Sequence, residues 1–370
     1  MILFAAGGTG GHLYPALAIA EEIRRRHPEM PIAFAGTPDH LEAEIVPREG
    51  YPFHPIPVIG LPRRPGPALL RFAWLLGRAV LQARNLIRTL RPSVVVGCGA
   101  YVSVPCILAA RVAGVPTVVA ESNGYPGIAN RLVGRFADLV AVAIPGTERA
   151  FPPGKAVCLG NPIRADFGKG DRVSARAALA YPRTPHLLVV TGGSLGAQAL
   201  NESFVAMLPQ VLARHDWSVL HIAGARHVAD VVTATGAVPG PGGAYTAHHD
   251  RYRVVAYCDR MADALLAADL LVSRSGATIV AEIAAAGRAS LLVPLGINPD
   301  QAANARFLAD QGAAVVLPND RVKTDLAAAL LPLLGDTHGL ERMALAARTL
   351  GKPDAARRIA DEVLRLAGAM

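Results

Sequence analysis

Short apolar runs alternate with longer stretches in which apolar residues recur every three or four positions. This alternation predicts βαβ units and a parallel sheet, because a strand covered by helices on both faces needs an unbroken hydrophobic run. In the first half the runs predict strands over Ile2–Ala6, Ile32–Ala35, Val94–Gly97, Thr117–Ala120, Leu139–Val142 and Ala156–Leu159. Helices are expected over Pro15–His27, Ala68–Leu90, Val102–Ala113 and Gly127–Phe136. In the second half strands are expected over Leu187–Val190, Val219–Ala223, Val254–Ala256, Leu270–Ser273, Ser290–Val293 and Ala314–Leu317. Its helices read as Ala197–Leu212, Met261–Ala267, Thr278–Ala286, Gln301–Asp310 and Lys323–Leu334, followed by two closing helices, Leu340–Leu350 and Asp354–Ala367. Gly, Pro, Asn or Ser follows the strands, as βα loops require, and Gly236–Gly243 reads as a surface loop.

The two halves open alike. Ile2-Leu3-Phe4-Ala5-Ala6 leads into Gly7-Gly8-Thr9-Gly10-Gly11, and Leu187-Leu188-Val189-Val190-Thr191 leads into Gly192-Gly193-Ser194-Leu195-Gly196. The expectation is an α/β protein of two domains with one architecture, residues 1–163 and 164–350. A terminal segment, 351–370, is expected to cross back to the first domain.

Composition agrees with a two-core protein: of 370 residues, 52% are hydrophobic and only 18% charged. The net charge of +8 suits phosphorylated substrates or anionic lipid. No Lys/Arg run interleaved with aromatics occurs, so nucleic acid is not an expected partner. Cys98, Cys106, Cys158 and Cys258 form no C-x-x-C pair and have no histidines at zinc spacing, which predicts reduced thiols and no metal centre. No stretch of 18 uninterrupted apolar residues predicts a spanning helix, and Met1–Ala6 is too short for a signal peptide core.

The glycine-rich loops carry the candidate chemistry. Glycines after a strand and before a helix let backbone N–H groups approach an anion or a sugar. The first loop departs from the dinucleotide fingerprint, because Leu13 stands in place of its third glycine and Gly36-Thr37 offers no acid at the tip of the second strand. The second loop matches G-x-S-x-G by letter, but no Asp…His pair follows in a convincing context and a hydrolase has no use for the other loop. Ser273-Arg274-Ser275-Gly276-Ala277-Thr278 forms a strand end, a turn and a helix start, which can receive a diphosphate, and Glu282 one turn later can bind the hydroxyls of a ribose. Gln301 and Asn304 lie three apart on the next helix, and their neutral amides suit sugar hydroxyls.

Gly7–His12 with Pro15-Ala16 and Gly97–Pro105 around Tyr101-Val102-Ser103 resemble the two N-terminal loops of the MurG family of UDP-N-acetylglucosamine transferases. Ala120–Asn123 with Pro126-Gly127 and Asn130-Arg131, Gly160–Arg164, Gly192–Gln198, Arg274–Gly287 and Gln301–Ala305 extend the likeness in order over nearly the whole chain. The sequence departs in Ala120-Glu121-Ser122-Asn123 where the family has His-Glu-Gln-Asn. It also departs in Gly99-Ala100-Tyr101 where the family has Gly-Gly-Tyr, and in Asp300 where His or Gln is common.

The resemblance implies a GT-B fold of two Rossmann-like domains whose parallel sheets face across a cleft. It implies an acceptor- and membrane-facing N-terminal domain and a C-terminal domain that binds the UDP-sugar. The implied reaction is inverting transfer of N-acetylglucosamine from UDP to the 4-hydroxyl of N-acetylmuramic acid on an undecaprenyl-linked acceptor, in peptidoglycan synthesis. By the same likeness Thr9, Gly10 and Gly11 are sugar-contacting positions of the first loop, Asn123 and Arg164 are polar contacts near the cleft, and Ser194 meets a phosphate. Cys258 reads the base through its backbone, Ala277, Thr278 and Glu282 hold diphosphate and ribose, and Gln301 takes the sugar hydroxyls.

His12 is the first candidate for general base and Glu121 the second, since an imidazole titrates near neutrality. UDP-N-acetylglucosamine is then a substrate, and no cofactor is expected. No two aspartates are spaced by one residue, so no D-x-D is available to chelate a metal, and helix N-termini, Ser194 and Arg164 are left to stabilise the leaving diphosphate. Arg63-Arg64 and Leu69–Arg78, where arginines interleave with apolar residues, predict an interfacial surface for anionic lipid. The implied location is peripheral, on the cytoplasmic face of the inner membrane, with other cell-wall synthesis and division proteins as partners. Competing readings are a GT-B transferase with a different acceptor and a non-catalytic nucleotide-sugar-binding protein.

Overall fold

The computed structural model describes residues 1–62, 66–164, 166–167, 170–182, 184–193, 196–296 and 299–369. The chain divides into two compact units, Met1–Arg164 with Asp354–Met370, and Ala165–Pro353.

In the first unit the strands are β1 (Ile2–Ala5), β2 (Ile32–Gly36), β3 (Phe53–Pro55), β4 (Val94–Gly97), β5 (Thr117–Glu121), β6 (Leu139–Val142) and β7 (Ala156–Cys158). Between them run α1 (Gly10–Arg26), α2 (Leu41–Arg48), α3 (Pro67–Leu90), α4 (Ser103–Val112) and α5 (Ile128–Val133). The sheet order is β3-β2-β1-β4-β5-β6-β7, with every pairing parallel. Strand order reverses between β1 and β4, and in open parallel sheets ligands bind beyond the carboxyl ends of the strands at that point. The loops after β1 and β4 are Gly7–Thr9 and the segment starting at Cys98.

The second unit begins with α6 (Arg172–Leu179) and β8 (His186–Thr191), then α7 (Gln198–Leu212), β9 (Trp217–Ile222) and α8 (Val228–Thr235). β10 (Val238–Pro239), β11 (Tyr245–Ala247) and β12 (Tyr252–Val255) follow, with α9 (Met261–Ala267), β13 (Leu270–Ser273) and α10 (Ala277–Ala286). β14 (Ala289–Leu292), α11 (Pro299–Ala309), β15 (Ala314–Val316), α12 (Val322–Gly335) and α13 (Thr337–Leu350) complete it. Its sheet runs β10-β11-β12-β9-β8-β13-β14-β15, antiparallel only at β10-β11-β12. Here the reversal falls between β8 and β13, so the Gly192 and Ser273–Gly276 loops share the switch point.

α14 (Ala355–Leu366) returns to the first unit, where Ile359, Val363 and Leu364 are buried with Leu13, Ile19 and Ile23 of α1 and with Ile2 and Phe4 of β1. Alternate β1 residues Leu3 and Ala5 face the opposite core, with Ala79, Ala83 and Ile87 of α3 and Ile107 of α4. This period-two split of one apolar run is why both faces of the strand are hydrophobic. In the second unit Leu188, Val190, Val219, Val272 and Leu291 pack with α7 and α12.

The twelve strands expected from the pattern are present, each within two residues at either end. The structure adds β3, β10 and β11, edge or near-edge strands of two or three residues that show no period. It also adds the eight-residue helices α2, α6 and α8, too short to be stable without tertiary packing. α6 lies just past the expected domain boundary, in a stretch for which no element is expected. Asp171 caps it by accepting from Val173 N at 2.7 Å and Ser174 N at 2.9 Å. α1 begins at Gly10 rather than Pro15, because two glycines carry no helical signal of their own.

One polar network lies deep in the second core. Fully buried His221 is 2.9 Å from Tyr252 Oη through Nδ1 and 3.1 Å from Asn201 Oδ1 through Nε2. Asn201 Nδ2 donates to Ala223 O at 2.9 Å, so its Oδ1 accepts from His221 Nε2–H, and Nδ1 accepts from the tyrosine hydroxyl. Burial drops the His221 pKa to about 3. Burial also pushes the Cys98 and Cys106 thiols up to about 12, which makes them packing residues.

Candidate active site

In the second unit α10 starts at a bare helix end. Gly276 is its N-cap, no side chain caps it, its first turn has no acid, and a Cβ on Gly276 would meet nothing within 4 Å. Such an end offers free N–H groups and a positive dipole. Thr278 Oγ1, on the first turn, is buried and has no hydrogen-bond partner among the described residues. Glu282 lies one turn on, 9% exposed.

The turn before the helix is braced from behind. Ser275 Oγ donates to Gln301 O at 2.8 Å, and Asn304 Nδ2 donates to Ser275 O at 3.2 Å. Asn304 is fully buried, so it serves the loop, unlike the sugar contact expected of it. Gln301 Oε1 accepts from Leu295 N at 2.9 Å. Arg274 Nη1 donates to Val293 O at 3.1 Å and to Asn319 Oδ1 at 2.6 Å, and burial lowers its pKa. In the neighbouring loop a Cβ on Gly192 would lie 2.6 Å from Ala197 Cβ, which fixes glycine there. Ser194 falls outside the described residues. Cys258 is placed just after β12, and Ala277, Thr278, Glu282 and Gln301 gather around the starts of α10 and α11.

In the first unit Thr9 is the exposed N-cap of α1, and Gly10, Gly11 and His12 are its first three residues. The His12 ring packs on the loop after β4, against Gly99. Ser103 Oγ ties that loop to β1 through Ala5 O at 3.0 Å and Gly99 O. Asn123 follows β5, and Arg164 ends the unit beyond β7.

Glu121, the second candidate base, is tied up within its own loop. It is 2% exposed, and its Oε1 accepts from Asn123 N at 2.8 Å and Asn123 Nδ2 at 3.3 Å. Its Oε2 accepts from Gly127 N at 3.1 Å and Asn130 Nδ2 at 2.9 Å. These four donors match the roughly four lone-pair sites of a carboxylate, leaving none for a substrate proton. Burial raises its pKa, against the opposing pull of the four donors. Its role is to organise the loop that carries Asn123.

Glu42 escaped the sequence reading, which found no acid at the end of β2. It comes from α2, a helix that reading did not predict, and it is fully buried. Its carboxylate accepts from Gly8 N at 3.1 Å and from Thr37 N at 2.9 Å. A Cβ on Gly7 would overlap Glu42 Oε1, and one on Gly36 would lie 2.6 Å from Glu42 Cγ. Glu42 shares the first turn of α2 with Glu44, and nothing in the local sequence distinguishes the two.

The first three turns of α3, Pro67–Arg78, contain no buried residue. Leu70 (77% exposed), Trp74 (63%) and Leu81 (60%) form one stripe by their spacing of four and seven, away from the buried Ala79, Ala83 and Ile87. Arg71, Arg78 and Arg84 are exposed, with the Arg78 guanidinium 5.8 Å from the centre of the Trp74 ring. Arg63 and Arg64 lie outside the described residues. No described helix is long and apolar enough to cross a membrane.

Comparison with known proteins agrees with this arrangement. Residues 2–142 match the glycosyltransferase family 28 N-terminal domain, and residues 187–359 match the glycosyltransferase family 28 C-terminal domain. A UDP-N-acetylglucosamine--N-acetylmuramyl-(pentapeptide) pyrophosphoryl-undecaprenol N-acetylglucosamine transferase of Salinibacter ruber is 40% identical, covering 99% of this chain and 96% of its own. A protein of the same name from a Nocardioides species is 42% identical, over 99% of this chain and 98% of its own. The crystal structure of Acinetobacter baumannii MurG superposes with a TM-score of 0.79 at 29% identity, covering 98% of this chain and 99% of that one. The chain therefore belongs to glycosyltransferase family 28, among the UDP-N-acetylglucosamine--N-acetylmuramyl-(pentapeptide) pyrophosphoryl-undecaprenol N-acetylglucosamine transferases.

Proposed function

We propose that this protein transfers N-acetylglucosamine from UDP-N-acetylglucosamine, with inversion, to the 4-hydroxyl of N-acetylmuramic acid on an undecaprenyl-pyrophosphoryl acceptor. The observation that carries the reading is the likeness to relatives of that name over 99% of the chain, joined to an uncapped helix start at the switch point of the second sheet. The diphosphate sits on the N–H groups of Ala277 and Thr278, with the Thr278 hydroxyl gaining the partner it lacks. Glu282 accepts from the ribose hydroxyls, the Cys258 backbone meets the base, and Gln301 meets the sugar. Ser194, Asn123 and Arg164 are further polar contacts of donor and acceptor.

The acceptor sugar meets Thr9, Gly10 and Gly11, and His12 takes the proton of its hydroxyl as the C–O bond forms and UDP leaves. Glu121, with its lone pairs occupied, does not share that task. The helix dipole stabilises the departing charge, with no metal required. The Leu70–Trp74–Leu81 stripe and its arginines rest on anionic lipid at the cytoplasmic face of the membrane, near the lipid-borne acceptor.

A transfer assay with radiolabelled UDP-N-acetylglucosamine and a lipid I analogue tests the reading, with UDP-glucose and UDP-N-acetylgalactosamine as controls. Product from the first donor alone is expected. Equal use of all three, or transfer only to another acceptor, refutes it.

A further inference from the structure

Glycine-rich turns of this kind, between a first strand and its helix, ordinarily receive an anion from outside. In the first unit the anion is built in. The Glu42 carboxylate is fully buried against the turn, where it accepts from Gly8 N and Thr37 N. Gly7 and Gly36 are glycines at the places where a Cβ would strike it. α1 has no acid in its first turn and its N-cap Thr9 makes no side-chain cap bond, so the acid at the turn leading into it, Glu42, comes from α2.

We infer that Glu42 is a positioning residue: its carboxylate fills the anion cradle of the Gly7–Gly8 turn and thereby holds Thr9, Gly10 and His12 in register for the acceptor. The inference deepens the proposed function and rests on it for the part played by His12.

Truncation at Cβ tests it, because acetate has the shape of what Glu42→Ala removes. The expected result is a kcat at least tenfold lower, with KM for UDP-N-acetylglucosamine within twofold of the parent. Sodium acetate restores the rate, and sodium chloride at equal ionic strength does not. Glu42→Gln is the second variant. Its amide keeps the volume but turns an N–H toward the Gly8 or Thr37 donor, so its kcat falls as well, again without a change in donor KM. A smaller folded fraction would lower the apparent kcat at constant KM as well, so the rates are compared at a temperature where circular dichroism shows parent and variants fully folded with and without acetate.

A readout without turnover separates this inference from the proposed function. Acetate raises the melting temperature of Glu42→Ala and leaves that of the parent unchanged, as expected for a ligand that binds only the opened cradle. A parent with no transferase activity refutes the proposed function, while the cradle then stands or falls on that melting shift. Either variant within twofold of the parent in kcat, a loss confined to donor KM, or an acetate effect matched by chloride overturns the inference.

Discussion

The imidazole of His12 occupies the space that a side chain on Gly99 would need: an ideal Cβ there would overlap Nδ1 and lie 2.8 Å from Cε1. The loop after β4 thus sets the position of a side chain that belongs to the loop after β1. Gly99 also has φ +90°, a conformation glycine adopts at little cost. Gly99→Ala should displace the ring. An error of about 1 Å at a reacting group can cost roughly a hundredfold in rate, so kcat should fall by about that factor with UDP affinity unchanged. An unchanged kcat would show that the His12 ring position does not matter to the reaction.

The next residue carries the opposite mismatch. Ala100 is at φ +59°, in the left-handed region that favours glycine. The left-handed conformation costs an alanine roughly 1–2 kcal/mol, offset in part by the extra unfolded-state freedom of glycine, about 0.4–1 kcal/mol. Ala100→Gly is therefore expected to stabilise the protein, with a net gain of about 0.5–1 kcal/mol and a melting temperature higher by roughly 1–4 °C. A lower melting temperature would mean that the methyl packs better than the backbone strains.

His221 ties stability to acid. Its folded pKa of about 3 lies below the ordinary 6.5, so the unfolded chain binds a proton that the folded chain refuses. Stability from this group is full above pH 6.5 and is lost as pH falls from there toward 3, by about a factor of ten in the folding constant per pH unit. Urea denaturation at pH 7, 6, 5 and 4 should show that slope. His221→Gln should lower stability at pH 7 and flatten the slope by one proton. Parallel slopes for the two proteins would place the acid sensitivity elsewhere.

On the donor side, Glu282→Gln removes the charged acceptor proposed for the ribose. Hydrogen bonds to charged groups are worth about 1.5–3 kcal/mol, so UDP should bind roughly ten- to a hundredfold more weakly by calorimetry. Thr278→Val should weaken UDP less, because it deletes one neutral bond. EDTA should leave turnover intact, and a chelator-sensitive rate would contradict the reliance on the helix end.

For the α3 stripe, Leu70→Ser, Trp74→Ser and Leu81→Ser together should abolish flotation with anionic liposomes. Arg71→Glu with Arg78→Glu should weaken it most at low salt, where charge attraction is least screened. Retained flotation of both sets would move the lipid contact off this helix.

Much of the architecture is legible in the chain. Strand runs such as Val94–Gly97 and Leu270–Ser273 are buried on both faces, and that burial is written directly as unbroken apolar sequence. The ordered glycine loops likewise mark where backbone approaches backbone, as at Gly192, or where a side chain takes the room, as His12 does at Gly99. Short elements are not legible this way, because α2 and β3 owe their stability to the surfaces they dock on.

Sequence by itself therefore determined two parallel αβ cores, their glycine turns, the bare start of α10 and the placing of His12 beside the first turn. Only the tertiary structure decided what the buried carboxylates do. Glu121 and Glu42 are each a single letter in an unremarkable context. Their work depends on which N–H donors the fold brings within hydrogen-bond reach from residues as distant as 34 positions, as between Gly8 and Glu42. Periodicity records how much of a side chain is covered. It does not record the direction of a hydrogen bond, and at these two positions that direction separates an acid that takes a substrate proton from one that holds a loop in place.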